Sequence, residues 1–481
     1  MTQLGHDLPL PDRESDVARA SPIRPPAKHP RSERAYARFY EGALWPAWER
    51  VVRGRSTVHC LAYLERSQWL PRAQIEGNQL AALRALLRYV GEHVPYYREL
   101  FAKTRFDPRG VSSTRDLEAL PLLTRETVRE RYDDLLSEEY VGRSFKKGTS
   151  GSTGAPLKFE FSIESECWRQ ATRIRGYSWA GVRPGLPTFY YWASVATSRT
   201  QGLKIQLDRA LRRETFVDSM TQDQLSREQA LDLIRRTKPR VIICYTQSCA
   251  QLARWILDRG ARDWDDIAVV CGAEAVLPAD RGALSAAFGP VFETYGSRET
   301  MLMAAECEAH DGMHLSEENL VLEITSKGKA VVDGKVGSVA VTDLHNRRMP
   351  FIRDDNGDLA TAHVGMKRCA CGRGLRKIAR VDGRRADTLV DRNGTAIPGI
   401  VFHVLFSDAR KELVRQFQAV QKSSGEVVLK VVRGRDWSEE GFAQIHRRLE
   451  GYLRGLPLTL EFHAAIAPSA NGKTKTIVRE Q

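Results

Sequence analysis

The chain has 481 residues, of which 42% are hydrophobic, so it is long and apolar enough to bury two or three structural units. Its net charge of +13 comes from basic residues scattered among acids, which argues against a nucleic-acid partner. No run of about 18 apolar residues occurs and the start lacks a signal-peptide core, so we predict no membrane span and expect a soluble cytoplasmic protein. Its eight cysteines are then expected to be thiols or metal ligands.

The first two-thirds of the chain predict a tail, helices and then alternating strands and helices. Residues 1–34 are rich in Pro, Arg and Ser and predict a disordered or loosely attached tail. Residues 35–100 carry helical periodicity. Farther on, "KPRVIICYTQ" and "DIAVVCGAEAVLP" predict short buried strands, with helical stretches such as "SCAQLARWILDRG" between them. This alternation is typical of a parallel α/β sheet.

The last third predicts two further units. After residue 310, short strands and turns indicate a β-rich subdomain, and a boundary is expected between Arg384 and Asp387. Beyond it, strand "EVVLKVVRG", helix "SEEGFAQIHRRLEGYLRG", strand "LTLEFHAAI" and a polar tail predict a small α+β unit. We therefore predict an α/β fold with a large N-terminal domain over 35–383 and a small C-terminal domain over 384–481.

The segment "KKGTSGSTGAPLKF" (146–159) suggests a phosphate-binding loop, although a flexible polar loop is the alternative. Glycines allow close approach of the backbone, and bared N–H groups with Ser, Thr and Lys suit phosphate oxygens. The P-loop pattern fails, because Gly148 to Gly154 is one residue too long and Ala155-Pro156 replaces Lys-Ser/Thr. The G-x-G-x-x-G fingerprint is also absent, so a third kind of nucleotide site is indicated.

Four segments in order, "TSGSTGAPLKF", "ETYGSRET", "RDDNGDLA" and "NGKTK", resemble the core motifs of the adenylate-forming superfamily. Finer features, "VGEHVPYYRELF", "AAECEAHDGMHLSEEN" and "CACGRGLRKIARVDGRRAD", resemble phenylacetate-CoA ligases and their CapK-like relatives. The resemblance implies ATP- and Mg²⁺-dependent activation of a small carboxylic acid to an acyl-adenylate, with release of pyrophosphate. It also implies that the small C-terminal domain is mobile.

The resemblance assigns roles around the phosphates. The residues expected to hold the β- and γ-phosphates are Ser150, Gly151, Ser152, Thr153 and Gly154, with Lys158 adding charge. Thr153 is also expected to act in catalysis together with Glu299 and Lys473, the latter reaching the acyl carboxylate and the α-phosphate. Glu299 is the expected ligand of Mg²⁺, which prefers carboxylate oxygens.

The remaining assignments concern the nucleoside and the hinge. Tyr295 is expected against adenine, with Gly296 and Ser297 beside it, and Asp358 is expected to accept the ribose hydroxyls. A further set completes the assignment, namely Glu274 near the acyl and nucleotide pocket, Arg384 before the hinge and Asp387 as the hinge acid. The sequence departs from the family pattern at Asp354 and Asn356, which stand where the family has Tyr and Thr.

Four residues suggest a metal site separate from catalysis. Cys307, His314, Cys369 and Cys371 would give Zn²⁺ three thiolates and one imidazole, a set typical of structural sites. Some phenylacetate-ligase relatives carry Cys and His at matching positions. Unrelated buried thiols are the alternative, and His310 is the competing histidine.

The acyl acceptor is left open between CoA and a small-molecule amine or hydroxyl, because the segment after the hinge, "LVDRNGTAIPGI", differs from that of phenylacetate ligases. A degenerate relative that binds nucleotide without catalysis is a further alternative, favoured by Asp354 and Asn356. Four aromatic residues are expected either to line an acyl pocket or to pack in the core: Trp179, Tyr190, Tyr191 and Trp192.

Overall fold

The structure, a computed structural model, describes most of the chain. The described residues are 31–148, 157–192, 199–219, 223–365, 368–385, 388–392, 396–398, 402, 405–406, 413–453, 455–466 and 476–480. Seven residues with predicted roles lie outside these ranges: Ser150, Gly151, Ser152, Thr153, Gly154, Asp387 and Lys473.

The α-helices of the described residues precede and interleave with the strands. In chain order they are α1 (Arg31–Phe39), α2 (Trp45–Ala47), α3 (Thr57–Ser67), α4 (Arg72–His93), α5 (Pro95–Thr104), α6 (Arg125–Glu130), α7 (Ile163–Ser178), α8 (Arg199–Arg212), α9 (Gln224–Thr237), α10 (Thr246–Asp258), α11 (Pro278–Ala287) and α12 (Glu439–Leu453). Among the described residues, no helix combines the length and the apolar character that crossing a bilayer requires.

The strands concentrate between residue 144 and the C-terminus. They are β1 (Ser144–Gly148), β2 (Lys158–Ser162), β3 (Thr188–Trp192), β4 (Glu214–Asp218), β5 (Val241–Tyr245), β6 (Ala268–Gly272), β7 (Val291–Ser297), β8 (Met301–Glu306), β9 (Met313–Leu315), β10 (Leu320–Ser326), β11 (Lys329–Ala330), β12 (Val336–Asp343), β13 (Asp354–Ala362), β14 (Lys377–Arg384), β15 (Thr388–Val390), β16 (Ala396–Pro398), β17 (Val414–Gln421), β18 (Val427–Arg433), β19 (Leu458–Phe462) and β20 (Ile477–Arg479).

A parallel sheet in the order β4-β3-β5-β6-β7 is built from strands between residues 188 and 297. Its strands are short and apolar because both faces are covered, and α9, α10 and α11 pack their apolar sides on a core that includes Ile242, Val269 and Leu284. The α/β alternation predicted from sequence is confirmed. The carboxyl ends of these strands lie along one edge, where ligands bind in such sheets.

The same sheet continues as an antiparallel, β-rich part through β8, β9, β14, β13, β12 and β10. The change of direction occurs at the β7–β8 turn, where the strand register shifts between Tyr295 and Gly296. A Cβ atom at position 296 would collide with the carbonyl oxygen of Met301. Glycine is therefore needed for this turn, which carries the segment Tyr295–Glu299.

The C-terminal strands β19-β18-β17-β20 form a separate sheet that packs with α12 around a core containing Leu429, Phe442 and Leu449. Two predicted boundaries need correction. The helix α1 begins at Arg31, inside the range predicted as a tail, since Tyr36 anchors it by a hydrogen bond of 2.6 Å to the carbonyl of Leu211. The predicted polar C-terminal tail contains β20, because Ile477 is buried beside β17.

Candidate active site

The phenol of Tyr295 and the carboxylate of Asp358 meet at the end of the parallel sheet. Tyr295 Oη donates to Asp358 Oδ2 at 2.8 Å, and Asn356 Nδ2 donates to both of these atoms at 2.8 and 2.9 Å. Both side chains are largely buried. Burial raises the pKa of Tyr295 well above its usual range, so the phenol stays protonated and donates.

Arg384 completes this corner from the neighbouring strand. Asp358 on β13 and Arg384 on β14 are direct cross-strand partners, and Arg384 Nε lies 2.9 Å from Asp358 Oδ1. Arg384 also donates to the carbonyl oxygen of Asn356 at 3.0 Å. Burial raises the pKa of Asp358, while Arg384 and Tyr295 oppose that rise. We call Tyr295, Asn356, Asp358 and Arg384 the nucleoside corner.

Glu299 and Asp354 bring two further carboxyl groups close to this corner. Asp354 is 3% exposed, and burial together with the negative charges of Glu299 and Asp355 raises its pKa well above the usual range. Glu299 is half-buried, and its carboxylate forms no hydrogen bond within the described part of the chain. A divalent cation would relieve the repulsion among these groups, so Glu299 fits its predicted place as a Mg²⁺ ligand.

Two arginines hold the backbone of the turn that carries Glu299. Arg169, buried on α7, donates to the carbonyl oxygens of Arg298 and Glu299 and lies 4.4 Å from the centre of the Phe161 ring. Arg298 in turn donates to the carbonyl oxygen of Gly148 at 3.0 Å. The turn at 298–299 is thereby tied to the strand that enters the predicted phosphate loop.

The β1–β2 hairpin brackets that loop. Gly148 and Lys158 are direct cross-strand partners at the end of the hairpin where the chain passes into that loop, and Arg298 bonds Gly148 there. Lys147 lies over the ring of Phe161 at 4.8 Å, and its pKa is lowered by burial and by the nearby cations Arg169 and Arg298. Lysine and arginine charges thus converge where the loop begins, as a polyphosphate would require.

Glu274 lies on the same edge of the sheet, after β6. Its carboxylate accepts from the backbone N–H of Gln247 at 2.9 Å, near the start of α10. Burial of Tyr245, and secondly the negative charge of Glu274, raise the pKa of the Tyr245 phenol. Tyr245 and Trp192, the last residues of β5 and β3, pack with ring centres 4.3 Å apart.

Ser297 takes a structural role, as do three of the four aromatic residues considered for the acyl pocket. Ser297 bonds Thr300 across the β7–β8 turn. Trp179 packs beside His314, Tyr191 lies in the core of the parallel sheet, and Tyr190 is half-buried near Arg173 and Glu214. The acyl-pocket alternative therefore survives for Trp192 alone.

Cys307, His314, Cys369 and Cys371 converge at the predicted metal site, with their ligand atoms within 4.8 Å of one another. Cys307 Sγ and Cys369 Sγ are 3.8 Å apart, too far for a disulfide. About 3.8 Å is the S···S separation around a tetrahedral zinc with Zn–S bonds of about 2.3 Å. His314 Nδ1 bonds the carbonyl of Leu375 at 3.0 Å, which leaves Nε2 facing Cys371 Sγ at 3.3 Å.

The competing histidine, His310, is engaged elsewhere. Its Nδ1 lies 3.0 Å from the carboxylate of Glu306, and its ring packs on Phe292. The arrangement of the four ligands fits zinc, whereas His310 faces away from them in the described structure.

Several residues of the site were not found by sequence reasoning. Arg169 lies within a helix of mixed charge, where it resembles a solvated side chain, and Arg298 is the variable position of its motif. Asn356 was noticed only as a departure from the family pattern, yet it bonds both Tyr295 and Asp358. Only the three-dimensional contact distinguishes these residues from ordinary polar ones.

Comparison with known proteins agrees with this geometry. No protein-family model matches the chain. A phenylacetate-coenzyme A ligase of Thermus thermophilus is 28% identical over 380 residues, covering 76% of this chain and 82% of that protein. The corresponding ligase of Escherichia coli is 26% identical, covering 68% of this chain and 74% of that protein.

Solved structures show the same fold. 2-Hydroxyisobutyryl-CoA ligase in the postadenylation state aligns with a TM-score of 0.70 at 18% identity, covering 87% of this chain and 92% of that chain. The same enzyme in complex with 2-HIB-AMP and CoA in the thioesterification state aligns with a TM-score of 0.55 at 19% identity, covering 86% and 92%.

The chain is similar in sequence to the phenylacetate-CoA ligases, which are AMP-forming acid ligases of the adenylate-forming superfamily. It shares the fold of 2-hydroxyisobutyryl-CoA ligase. The finer resemblance to CapK-like proteins stays a prediction.

Proposed function

We propose that the chain joins a carboxylic acid to AMP at the expense of ATP and then transfers the acyl group to CoA. One observation carries the proposal: residues far apart in sequence, Tyr295, Asp358 and Arg384, are bonded together beside Glu299 at the carboxyl edge of the parallel sheet. Ligands of such sheets bind at this edge.

In the first step, an oxygen of the substrate carboxylate attacks the α-phosphorus of ATP, and the bond to the bridging oxygen breaks so that pyrophosphate leaves. Bound Mg²⁺ would neutralise phosphate charge, with Glu299 as its protein ligand. Lys147 and Arg298 lie near the start of the predicted phosphate loop and are proposed to supply positive charge to the leaving pyrophosphate. The loop residues Ser150 to Gly154 and Lys473 are proposed to act there as well, by resemblance.

Asp358 is proposed to hold the ribose. Its Oδ2 already accepts from Tyr295 and Asn356, whereas Oδ1 bonds Arg384 alone among the described residues. The remaining lone pairs of Oδ1 suit the ribose hydroxyls. Asn356, at the family's Thr position, supports this role because it holds both Tyr295 and Asp358 in place.

The acid is proposed to have a flat apolar body. Trp192 and Tyr245 present paired rings near Glu274, and Gly272 leaves room beside them. A Cβ atom at position 272 would lie 3.2 Å from the tip of the Trp192 indole. Aromatic walls of this kind favour planar substrates.

In the second step, the thiolate of CoA attacks the acyl carbonyl, and AMP leaves with the electron pair of the mixed-anhydride bond. The sequence likeness to phenylacetate-CoA ligases supports CoA as the acceptor. Transfer to an amine or hydroxyl has no specific support in the described residues. The C-terminal domain after Arg384 is proposed to rotate about Asp387 between the two steps.

A structural zinc ion is proposed at Cys307, His314, Cys369 and Cys371. Its support is the convergence of three thiols and one oriented imidazole at a spacing that suits tetrahedral coordination. The ligands come from the end of β8, from β9 and from the loop before β14, so the ion would cross-link the β-rich part.

ATP–pyrophosphate exchange with a panel of carboxylic acids tests the proposed activity. Exchange that depends on one class of acid and is lost in Lys473→Ala supports it. Absence of exchange across the panel, with ATP still bound, favours a non-catalytic nucleotide-binding relative. Acyl-CoA as the end product supports CoA, whereas an amide or ester formed without CoA would overturn that part.

A further inference from the structure

A second cavity opens in the β-rich part, away from the nucleoside corner. It has a volume of about 510 Å³ and lies between β10, β14 and the segment that precedes α4. None of Tyr295, Glu299, Asp358 and Arg384 lines it. Its size falls within the range of about 300–1,000 Å³ that is usual for small-molecule sites.

The floor of this cavity is apolar. Leu322 and Ile324 on β10 are only partly buried, and they pack against a core that contains Leu315 and Ile378. On its outer edge, β10 pairs with β11 only through its last two residues, Thr325 and Ser326. The rest of that edge has no strand partner in the described sheet. The floor therefore exposes aliphatic surface that a ligand can cover.

The rim of the cavity carries an excess of positive charge. Arg72 binds the carboxylates of Glu76 and Glu317, and Arg376 binds that of Glu317, so these two arginines are neutralised. Arg115 is exposed and forms no hydrogen bond or ion pair with any described residue, and Arg368 donates only to the carbonyl oxygen of Gly372.

Acidic residues of the lining do not cancel this excess. Glu323 is paired with Arg353 at 2.8 Å, and Glu118 lies 3.6 Å from Lys329. Asp333 accepts from the backbone N–H of Gly365. Glu323 and Glu118 are thus neutralised by cations, whereas Asp333 keeps its negative charge. Arg115 and Arg368, which have no ionic partner among the described residues, exceed it by one positive charge.

The shape and charge together select one ligand class. The described lining contains no Phe, Tyr or Trp, so its apolar surface is aliphatic. We infer that the cavity binds a small amphipathic carboxylate, with its aliphatic body on Leu322 and Ile324 and its carboxylate beside Arg115. Arginine matches a carboxylate in geometry as well as in charge.

Isothermal titration of the full-length protein with decanoate tests the inference. We expect saturable binding of one decanoate per chain, retained in Trp192→Ala, which alters the proposed substrate pocket. Ile324→Trp should fill the floor and weaken binding at least tenfold, and Arg115→Glu should weaken it several-fold. Decanol, which has no charge, should bind at least tenfold more weakly than decanoate.

Matched controls separate a specific site from general effects. Val336→Trp places an indole at an exposed position of β12, and Arg109→Glu reverses a charge that is 84% exposed elsewhere. Both should leave decanoate binding unchanged.

If Ile324→Trp lowers the melting temperature, Leu322→Phe replaces it, because the smaller phenyl ring fills the cavity with less strain on the fold. Non-saturable binding, equal affinity for decanol, or binding lost in Trp192→Ala but retained in Ile324→Trp would overturn the inference. Because ATP is absent, failure here leaves the adenylation proposal unaffected.

Discussion

Tyr295 donates its phenolic hydrogen to Asp358 across 2.8 Å, although 63 residues separate them in the chain. This bond joins the turn after the parallel sheet to the antiparallel strand β13. It stabilises the ionised carboxylate in a buried place, where ionisation is otherwise costly. Loss of this bond should therefore raise the pKa of Asp358 and so change the pH dependence of nucleotide binding.

The first prediction concerns that pH dependence. Burial raises the pKa of Asp358, and Tyr295 and Arg384 lower it. The ionised carboxylate is needed to accept the ribose hydroxyls, so ATP affinity should fall as the pH falls through this raised pKa. Tyr295→Phe should move the midpoint to higher pH, as measured by ATP titration from pH 5 to 9. Tyr190→Phe, which alters a half-buried tyrosine outside the corner, should not move the midpoint. An unchanged midpoint in Tyr295→Phe would contradict the assignment.

Removal of the Asp358 charge is the second prediction. Asp358→Asn keeps the size of the side chain but weakens its acceptor strength, so the KM for ATP should rise about tenfold or more, equivalent to about 1.4 kcal/mol. Asp355→Asn serves as the control, because Asp355 bonds Arg385 and lies outside the corner. Equal effects of the two substitutions in steady-state kinetics would argue against a ribose contact.

The third prediction concerns protein stability. The pKa of buried Asp354 is raised well above its usual value, so the folded protein holds this proton more tightly than the unfolded chain. The contribution of Asp354 is favourable below about pH 4 and is lost as the pH rises toward its folded-state pKa. Asp354→Asn should therefore raise the free energy of unfolding at pH 7 and have little effect at pH 4, as measured by urea denaturation. Destabilisation at pH 7 would show that the ionised carboxylate is needed.

A fourth prediction tests the tie between Arg298 and Gly148. Arg298→Ala removes positive charge and frees the start of the predicted phosphate loop, so the exchange rate should fall roughly 10- to 100-fold. Arg109→Ala, an exposed arginine bonded to Asp107, is the control. The acid preference should be unchanged in both variants. Full exchange activity in Arg298→Ala would exclude a role for this contact.

Zinc content is the fifth prediction. Metal analysis should find about one zinc ion per chain, lost in the double substitution of Cys369 and Cys371 by Ser, together with a lower melting temperature. Cys60→Ala, a buried thiol outside the cluster, should retain the metal. A stable wild-type protein without metal would rule out the zinc proposal.

Sequence reasoning located the site through motifs whose residues are chemically unusual in their context. The glycine- and hydroxyl-rich loop, Tyr295, Glu299, Asp358 and the Cys/His set stand out because few other roles need those side chains together. Arg169 and Arg298 do not stand out, since their roles depend on backbone carbonyls that approach only after folding. From the sequence alone, Trp192 and Tyr191 were equally good candidates for the acyl pocket. In the structure they differ, because consecutive side chains of β3 point to opposite faces of the sheet.

The small domain was predicted in outline, with its strand–helix–strand order, but not to its end. Ile477 and Val478 are the only two adjacent apolar residues in the polar stretch 468–481. Their partner strand, β17, lies more than 50 residues earlier in the chain. A three-residue parallel pairing leaves almost no periodic signal. Its burial against Ala419 is what makes β20 a strand.

A single-turnover reaction with ATP labelled at the α-phosphorus tests whether the protein forms an acyl-adenylate. Enzyme, ATP, Mg²⁺ and the preferred acid are mixed without CoA, quenched and separated. We expect the label in an acyl-adenylate only when the acid is present, and we expect it to move to free AMP, with acyl-CoA formed, when CoA is added. Label found in ADP, or label that stays in ATP although acid and nucleotide are both bound, would contradict this expectation.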